Sequence, residues 1–163
     1  IKMDALKKML ENMGFQNVET YIQTGNVFVD SEEENAASVG FKIKQEIFRE
    51  FGHDVPVVAI GKEDLELCFK NNPYLKEKDC DTKKLYVAFI SKELSPLALN
   101  DLKISNFKPD EAAIDSSRIY IKYAVGAGKT KLDQKYIEKK LNVVATVRNW
   151  NTVTTLLNMY DKE

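Results

Sequence analysis

The segment Gly126-Ala127-Gly128-Lys129-Thr130 sets glycines, a cation and a hydroxyl ahead of the apolar stripe Leu132, Tyr136, Ile137 and Leu141. Glycines let backbone come close to a ligand, and unpaired N–H groups at a helix start attract anions. The phosphate loop of nucleoside triphosphatases also needs a glycine five residues before Gly128. Position 123 is Tyr, and an antiparallel hairpin is expected just before it, so that chemistry is set aside. Two readings stay open. In the first, Thr130 caps the helix and Asp133 completes a capping box. In the second, the segment holds a phosphate or carboxylate beside Lys129. A second helix start carries a cation too, in Arg148-Asn149-Trp150-Asn151-Thr152. There Asn149 serves as a cap and Trp150 closes the core, or Arg148 grips an oxyanion with its two-pronged guanidinium. A helix over 132–141 spans only about 15 Å, and an extended return over 142–147 covers nearly that distance. The two starts are therefore expected to share one rim. Gly126, Gly128, Lys129, Thr130, Arg148, Asn149, Asn151 and Thr152 form the candidate anion site.

Other chemistry finds less support. His53 is the only histidine, and no Ser or Cys motif accompanies it to make a triad. Asp110 and Glu111 are adjacent, so on a strand they point to opposite faces and cannot work as a pair. Cys68 fits a small core residue, whereas Cys80, within the charged stretch 76–84, is expected to face water. Thr24-Gly25-Asn26 reads as a turn. Residues 118–123 alternate, with Arg118, Tyr120 and Lys122 on one face. A basic and aromatic face of that kind could stack the bases of a single-stranded nucleic acid. The aromatic-rich strand motif of sheet-type RNA readers is missing, however. No metal or cofactor motif is present.

The elements that must position these residues follow from periodicity. The chain has 163 residues, 44% hydrophobic and 30% charged, with a formal net charge of −1. That balance fits one ordinary domain or two small ones, and argues against nucleic acid or an acidic membrane as partner. No uncharged run approaches the roughly 20 residues of a membrane-spanning helix, and no signal peptide is visible. Two cysteines exclude a disulfide framework and suit a reducing cytoplasm. Met3, Leu6, Leu10 and Met13 predict a helix closed by Gly14. Residues 18–23 and 26–30 predict a hairpin around Thr24-Gly25. Ser31 with Glu34 predicts a capped helix whose core face is Val39, Ile43 and Ile47, extended by Phe48 and Phe51 and ended by Gly52. A strand over 55–60 and a helix over 63–69 follow, the latter stopped at Asn72-Pro73. Polar residues 71–84 mark a boundary. The second half predicts a buried strand over 85–90, a short helix opened by Ser95-Pro96, and a hairpin of 112–115 with 118–123. The 132–141 helix, a short strand over 143–145 and a helix starting near Asn149 complete it.

The second half reads β-α-β-β-α-β. The first reads the same once a strand is placed ahead of Ile1. The expected fold is thus α+β, with two tandem ferredoxin-like (α/β plait) domains of antiparallel sheet, over 1–75 and 76–163. A strand preceding Ile1, or a substitute for it, is expected to complete the first sheet.

Four segments resemble a bacterial family, domain of unknown function family 1697. They are Thr20-Tyr-Ile-Gln-Thr-Gly-Asn26 with Val27; Asn72-Pro73-Tyr74 ahead of Lys83-Lys-Leu-Tyr-Val-Ala-Phe89; Gly126-Ala-Gly-Lys-Thr-Lys-Leu132; and Arg148-Asn-Trp-Asn-Thr-Val153. The resemblance implies tandem α/β plaits and no assigned activity. It also implies an N-terminal strand and a Gly- and Asn-bearing loop with an Arg, just ahead of Ile1-Lys2-Met3. The functional expectation is a cytoplasmic binding or regulatory module for a small anionic ligand, without a cofactor and with homo-oligomerisation left open. The alternatives are an enzyme sharing its site between that N-terminal loop and residues 126–130 and 148–152, and a single-stranded nucleic-acid-binding module.

Overall fold

Apolar residues recurring every three to four positions fold the start of the chain into helix α1 (Met3–Asn12), with Leu6, Met9 and Leu10 buried. Gly14, at φ 98°, turns the chain out of it. The computed structural model describes residues 1–21 and 25–161. Strands β1 (Gln16–Tyr21) and β2 (Asn26–Asp30) pair antiparallel, as the hairpin reading requires. Of its turn, Thr24 lies outside the described residues, and Gly25 has φ 83°. The register shifts between Gln16 and Glu19, where Asn17 takes φ 51° and donates its amide to Asp30 at 2.6 Å.

Helix α2 (Ala36–Phe51) begins later than Ser31 would place it. Asn35 is its cap, accepting from the Ser38 N–H, while Ser31 accepts from the Glu33 N–H in a tight turn. Gly52 ends it in the left-handed region. Val39 and Ile47 are buried, but Phe48 is exposed. Position 48 lies one residue past Ile47, about 100° around the helix, which turns it off the core face.

Residues 55–60 form no strand, contrary to expectation. Val55 and Val57 instead lean on the cluster of Leu6, Met9, Leu10, Val18 and Ile47. Apolar packing holds the stretch where a ladder of hydrogen bonds was expected. It passes close to α2, where a Cβ on Gly40 would meet the Ala59 Cβ at 3.2 Å.

Two compact units result, Ile1–Ala59 and Ile60–Glu163. Their division precedes the polar stretch 71–84. Helix α3 (Lys62–Asn71) therefore belongs to the second unit.

In that unit strand β3 (Leu85–Ile90) lies between β5 (Arg118–Lys122) and β6 (Ala145–Asn149). Strand β4 (Glu111–Asp115) forms the far edge, giving the antiparallel order β4-β5-β3-β6. The expected short strand over 143–145 begins two residues later. Helix α4 (Ala98–Asp101) links β3 to β4, and α5 (Gln134–Leu141) links β5 to β6. Both cover the sheet face made by Ala88, Ile90, Ile119 and Ile121, where Leu102, Leu132 and Ile137 meet them. Helix α6 (Trp150–Asp161) packs with α3 and β3 against the other face, and Trp150 meets Phe69 with ring centroids 4.7 Å apart.

This second face is where the structure overturns the base-stacking reading. Arg118 is 4% and Tyr120 1% exposed, so neither can meet a base. Arg118 donates to Asp115 at 2.9 Å and to Asp64 of α3 at 3.3 Å. The same Asp115 oxygen accepts from the Tyr120 hydroxyl at 3.0 Å and the Asn71 amide at 2.9 Å. Lys122 pairs with Glu77 and Glu111 and lies over the Tyr74 ring. Alternation along the strand showed two faces; it could not show that α3 would close one of them.

Burial alone would raise the Asp115 pKa. Hydrogen bonds from Arg118, Asn71 and Tyr120 outweigh it and hold the carboxyl below its ordinary value. A depressed carboxylate contributes stability above its unfolded pKa, near about 4, and loses it as pH falls through the folded value. The urea concentration needed for unfolding should therefore fall below about pH 4, and Asp115→Asn should flatten that dependence. Asp115→Ala, which strips the buried guanidinium of its nearest partner, should cost about 3 kcal/mol at pH 7. A pH profile identical in Asp115→Asn and the parent would contradict this account.

Candidate functional site

The second sheet decides where the candidate residues emerge. Lys122, the last residue of β5, lies opposite Leu85, and Asn149, the last of β6, lies opposite Tyr86. Both strands thus run out at the end where β3 begins. Residues 126–130 leave from one and 148–152 from the other, at one end of the sheet with β3 between them. From there the chain turns to opposite faces, toward α5 in one case and into α6 in the other.

The first segment is built around a buried carboxylate. Asp110 is 6% exposed. It accepts from the Ala124 N–H at 2.8 Å and from the Thr130 hydroxyl at 3.1 Å, tying together the two ends of the glycine loop. Gly126 takes φ 93°, a conformation that favours glycine, and residues Ala127–Lys129 form one 3-10 turn. Thr130 is therefore not the cap of α5, as one reading had it. Its hydroxyl is engaged with Asp110 and accepts from the Leu132 N–H. Asp133 takes the capping place, accepting from the Tyr136 N–H at 2.9 Å. Gly128 and Lys129 are exposed, and Gly126 and Thr130 half-buried.

The second segment joins β6 to α6 without a break. Asn149 caps α6 as its spacing suggests, accepting from the Thr152 N–H at 2.8 Å. Trp150 is buried and closes the core from that end. Thr152 is buried, and Asn151 is exposed. Arg148 is half-buried, opposite Val87 in the register, and donates to the Val147 carbonyl. Burial lowers its pKa from the ordinary arginine value. A guanidinium keeps its charge in any protein, so its shift reports a cation partly withdrawn from water.

Groups with altered acidity elsewhere move away from neutrality. Burial pushes the Cys68 thiol up to about 12, which removes it as a nucleophile at ordinary pH. Burial also pushes the Tyr74 hydroxyl up to about 12. Cys80 is half-buried rather than fully in water. Among the described residues, no three His, Cys, Asp or Glu side chains stand where they could hold one metal ion. No helix among them is long and apolar enough to cross a membrane.

Asp110 is the residue that sequence reasoning passed over. Its neighbour Glu111 suggests only a carboxylate pair, whereas its partners lie 14 and 20 positions away in the chain.

The sequence model of the family described as "Protein of unknown function (DUF1697)" matches residues 1–120. The chain belongs to this family. The matched span contains the second hairpin as far as Tyr120 and ends before Gly126. A solved structure of a conserved bacterial protein from Streptococcus pneumoniae is similar to this chain, with a TM-score of 0.68 at 20% sequence identity. The likeness covers 98% of this chain and 88% of that one, and at such identity it shows the fold alone. No curated protein sequence matches this chain.

The clasp at Asp110 makes a local forecast. Asp110→Ala leaves the Ala124 N–H and the Thr130 hydroxyl without their acceptor, at a cost of about 2 kcal/mol. Amide exchange should quicken across 124–132 while the β3 and β5 amides keep their protection. Equal loss of protection in both regions would mean that Asp110 supports the whole unit and not the loop.

Proposed function

We propose that this protein is a binding module which takes a small anion, and not a catalyst. Its plan is two ferredoxin-like plaits in tandem, the first within 1–75 and the second within 76–163, with α3 serving the second sheet. The observed order β4-β5-β3-β6, with α4 and α5 as the connecting helices, supports the plait for the second half. The anion lies at the end of that sheet where β3 begins, among Gly126, Gly128, Lys129, Thr130, Arg148, Asn149, Asn151 and Thr152. The observation that carries the reading is the shared exit of β5 and β6, which brings Lys129 and Arg148 to one end of the sheet. A cation partly withdrawn from water, such as Arg148, attracts an anion more strongly than a fully hydrated one does. Binding needs no group poised near neutral pH, and the shifts of Cys68 and Tyr74 run the other way. Two free cysteines fit a reducing compartment, which we take to be the bacterial cytoplasm.

Thermal unfolding with phosphate, nucleotides and small carboxylates tests this directly. A ligand at a hundredfold excess over its Kd adds about 2.7 kcal/mol of stability. That should raise the melting temperature by several degrees. Lys129→Ala and Arg148→Ala should each remove most of the rise. A rise that survives both substitutions undiminished would place the anion elsewhere.

A further inference from the structure

We propose that the outer surface of α5 and the loop before it dock an acidic segment of a protein partner. Lys131, Lys135, Lys139 and Lys140 are all exposed. None of the four takes part in an ion pair among the described residues; Lys140 lies 5.7 Å from the Tyr136 ring centroid. Two carboxylates lie among these four lysines and offset only half of their charge. Asp133 caps α5, and Glu138 accepts from the Ala145 N–H at 3.1 Å. The result is a local excess of positive charge on a chain whose net charge is −1.

The spacing suits a polypeptide. Lys135 and Lys139 are four residues apart on α5, a rise of about 6 Å. Acidic side chains four apart on a partner helix have the same rise, and alternate residues of an extended strand rise about 6.6 Å. Val125, in the loop just before this surface, is 63% exposed and offers the apolar anchor that protein interfaces use. The same features count against a nucleic acid. Every cation here is a lysine, without the fork that grips phosphate. The nearby aromatic rings face inward: Tyr136 bonds the Leu102 carbonyl and meets Phe107, and Tyr123 bonds the Leu132 carbonyl. Tyr136 is half-buried, and Lys140 lies over its ring where a base would have to stack. Two depressions of about 340 and 460 Å³, one beside Asn100 and Lys103 and one beside Asn12 and Arg49, lie outside this surface. Lysines spread along an exposed helix face suit a chain laid along it better than an enclosed small molecule.

This surface adjoins the small-anion rim but does not rest on it, since none of its four lysines is among the residues proposed there. The test is fluorescence anisotropy with a labelled peptide of alternating Glu and Ala carrying one Leu, beside an oligothymidylate of equal charge. The peptide should bind the parent, more weakly as salt rises from about 0.05 to 0.2 M. Lys131→Glu with Lys135→Glu and Lys139→Glu should weaken it at least tenfold. Val125→Ser should weaken it severalfold with the salt dependence unchanged. Circular dichroism of each variant establishes that it is folded. Peptide binding that survives the charge reversal, tighter binding of the oligothymidylate, or no binding of either probe overturns the proposal. Phosphate binding lost in Lys129→Ala but kept in the lysine reversal leaves the small-anion reading standing by itself.

Discussion

A guanidinium carried into the interior governs the larger unit. Leaving Arg118 charged and unpaired beneath a helix would cost more than most single contacts return. Asp115 of the adjacent strand and Asp64 of α3 answer it together. The demand is two-sided. The hairpin supplies one carboxylate from three residues away, and the other has to come from α3. With buried Leu65 and Cys68 and the Phe69–Trp150 contact, this ties α3 to the second sheet, and the division between units falls at Ala59, although 71–84 is the more polar stretch. Tertiary contacts, one of them a charge pair across 54 positions, override the local composition that marks a linker.

Closing that face has a consequence for function. A four-stranded antiparallel sheet with helices on one side leaves the other open, and proteins of this plan bind ligands there. Here α3 and α6 occupy it, and Arg118, Tyr120 and Lys122 become structural residues. What remains open are the ends of the sheet and the outer surfaces of its helices. Of the two ends, the one where β3 begins receives both a glycine loop and a strand-to-helix junction with an arginine.

Periodicity carried most of the architecture. Alternating or wholly apolar runs located β2, β3, β4 and β5, and three-to-four spacing located α1, α5 and α6. Glycines at 14 and 52 marked helix ends because positive φ at those places favours glycine. The failures share a cause. Residues 55–60 are as apolar as a strand, but whether they pair depends on what lies beside them. The Ser31 and Glu34 pair has the spacing of a capping box, yet Asn35 is a comparable cap nearer the helix. Phe48 was added to a stripe on type alone, one residue out of phase. In each case local preference allowed two outcomes, and contacts remote in sequence chose between them.

The candidate site shows the same limit more sharply. Its residue types were legible because glycines and a cation before a helix have few uses. What lies under the loop was not. Asp110 puts a carboxylate behind residues 126–130, where a simple anion cradle would have backbone N–H groups alone. That charge fixes the loop through Ala124 and Thr130 and also opposes an anion brought close to it. Lys129, exposed on the same loop, sets a positive charge against it. Arg148, half-buried on β6, stands on the other side of β3 from that loop.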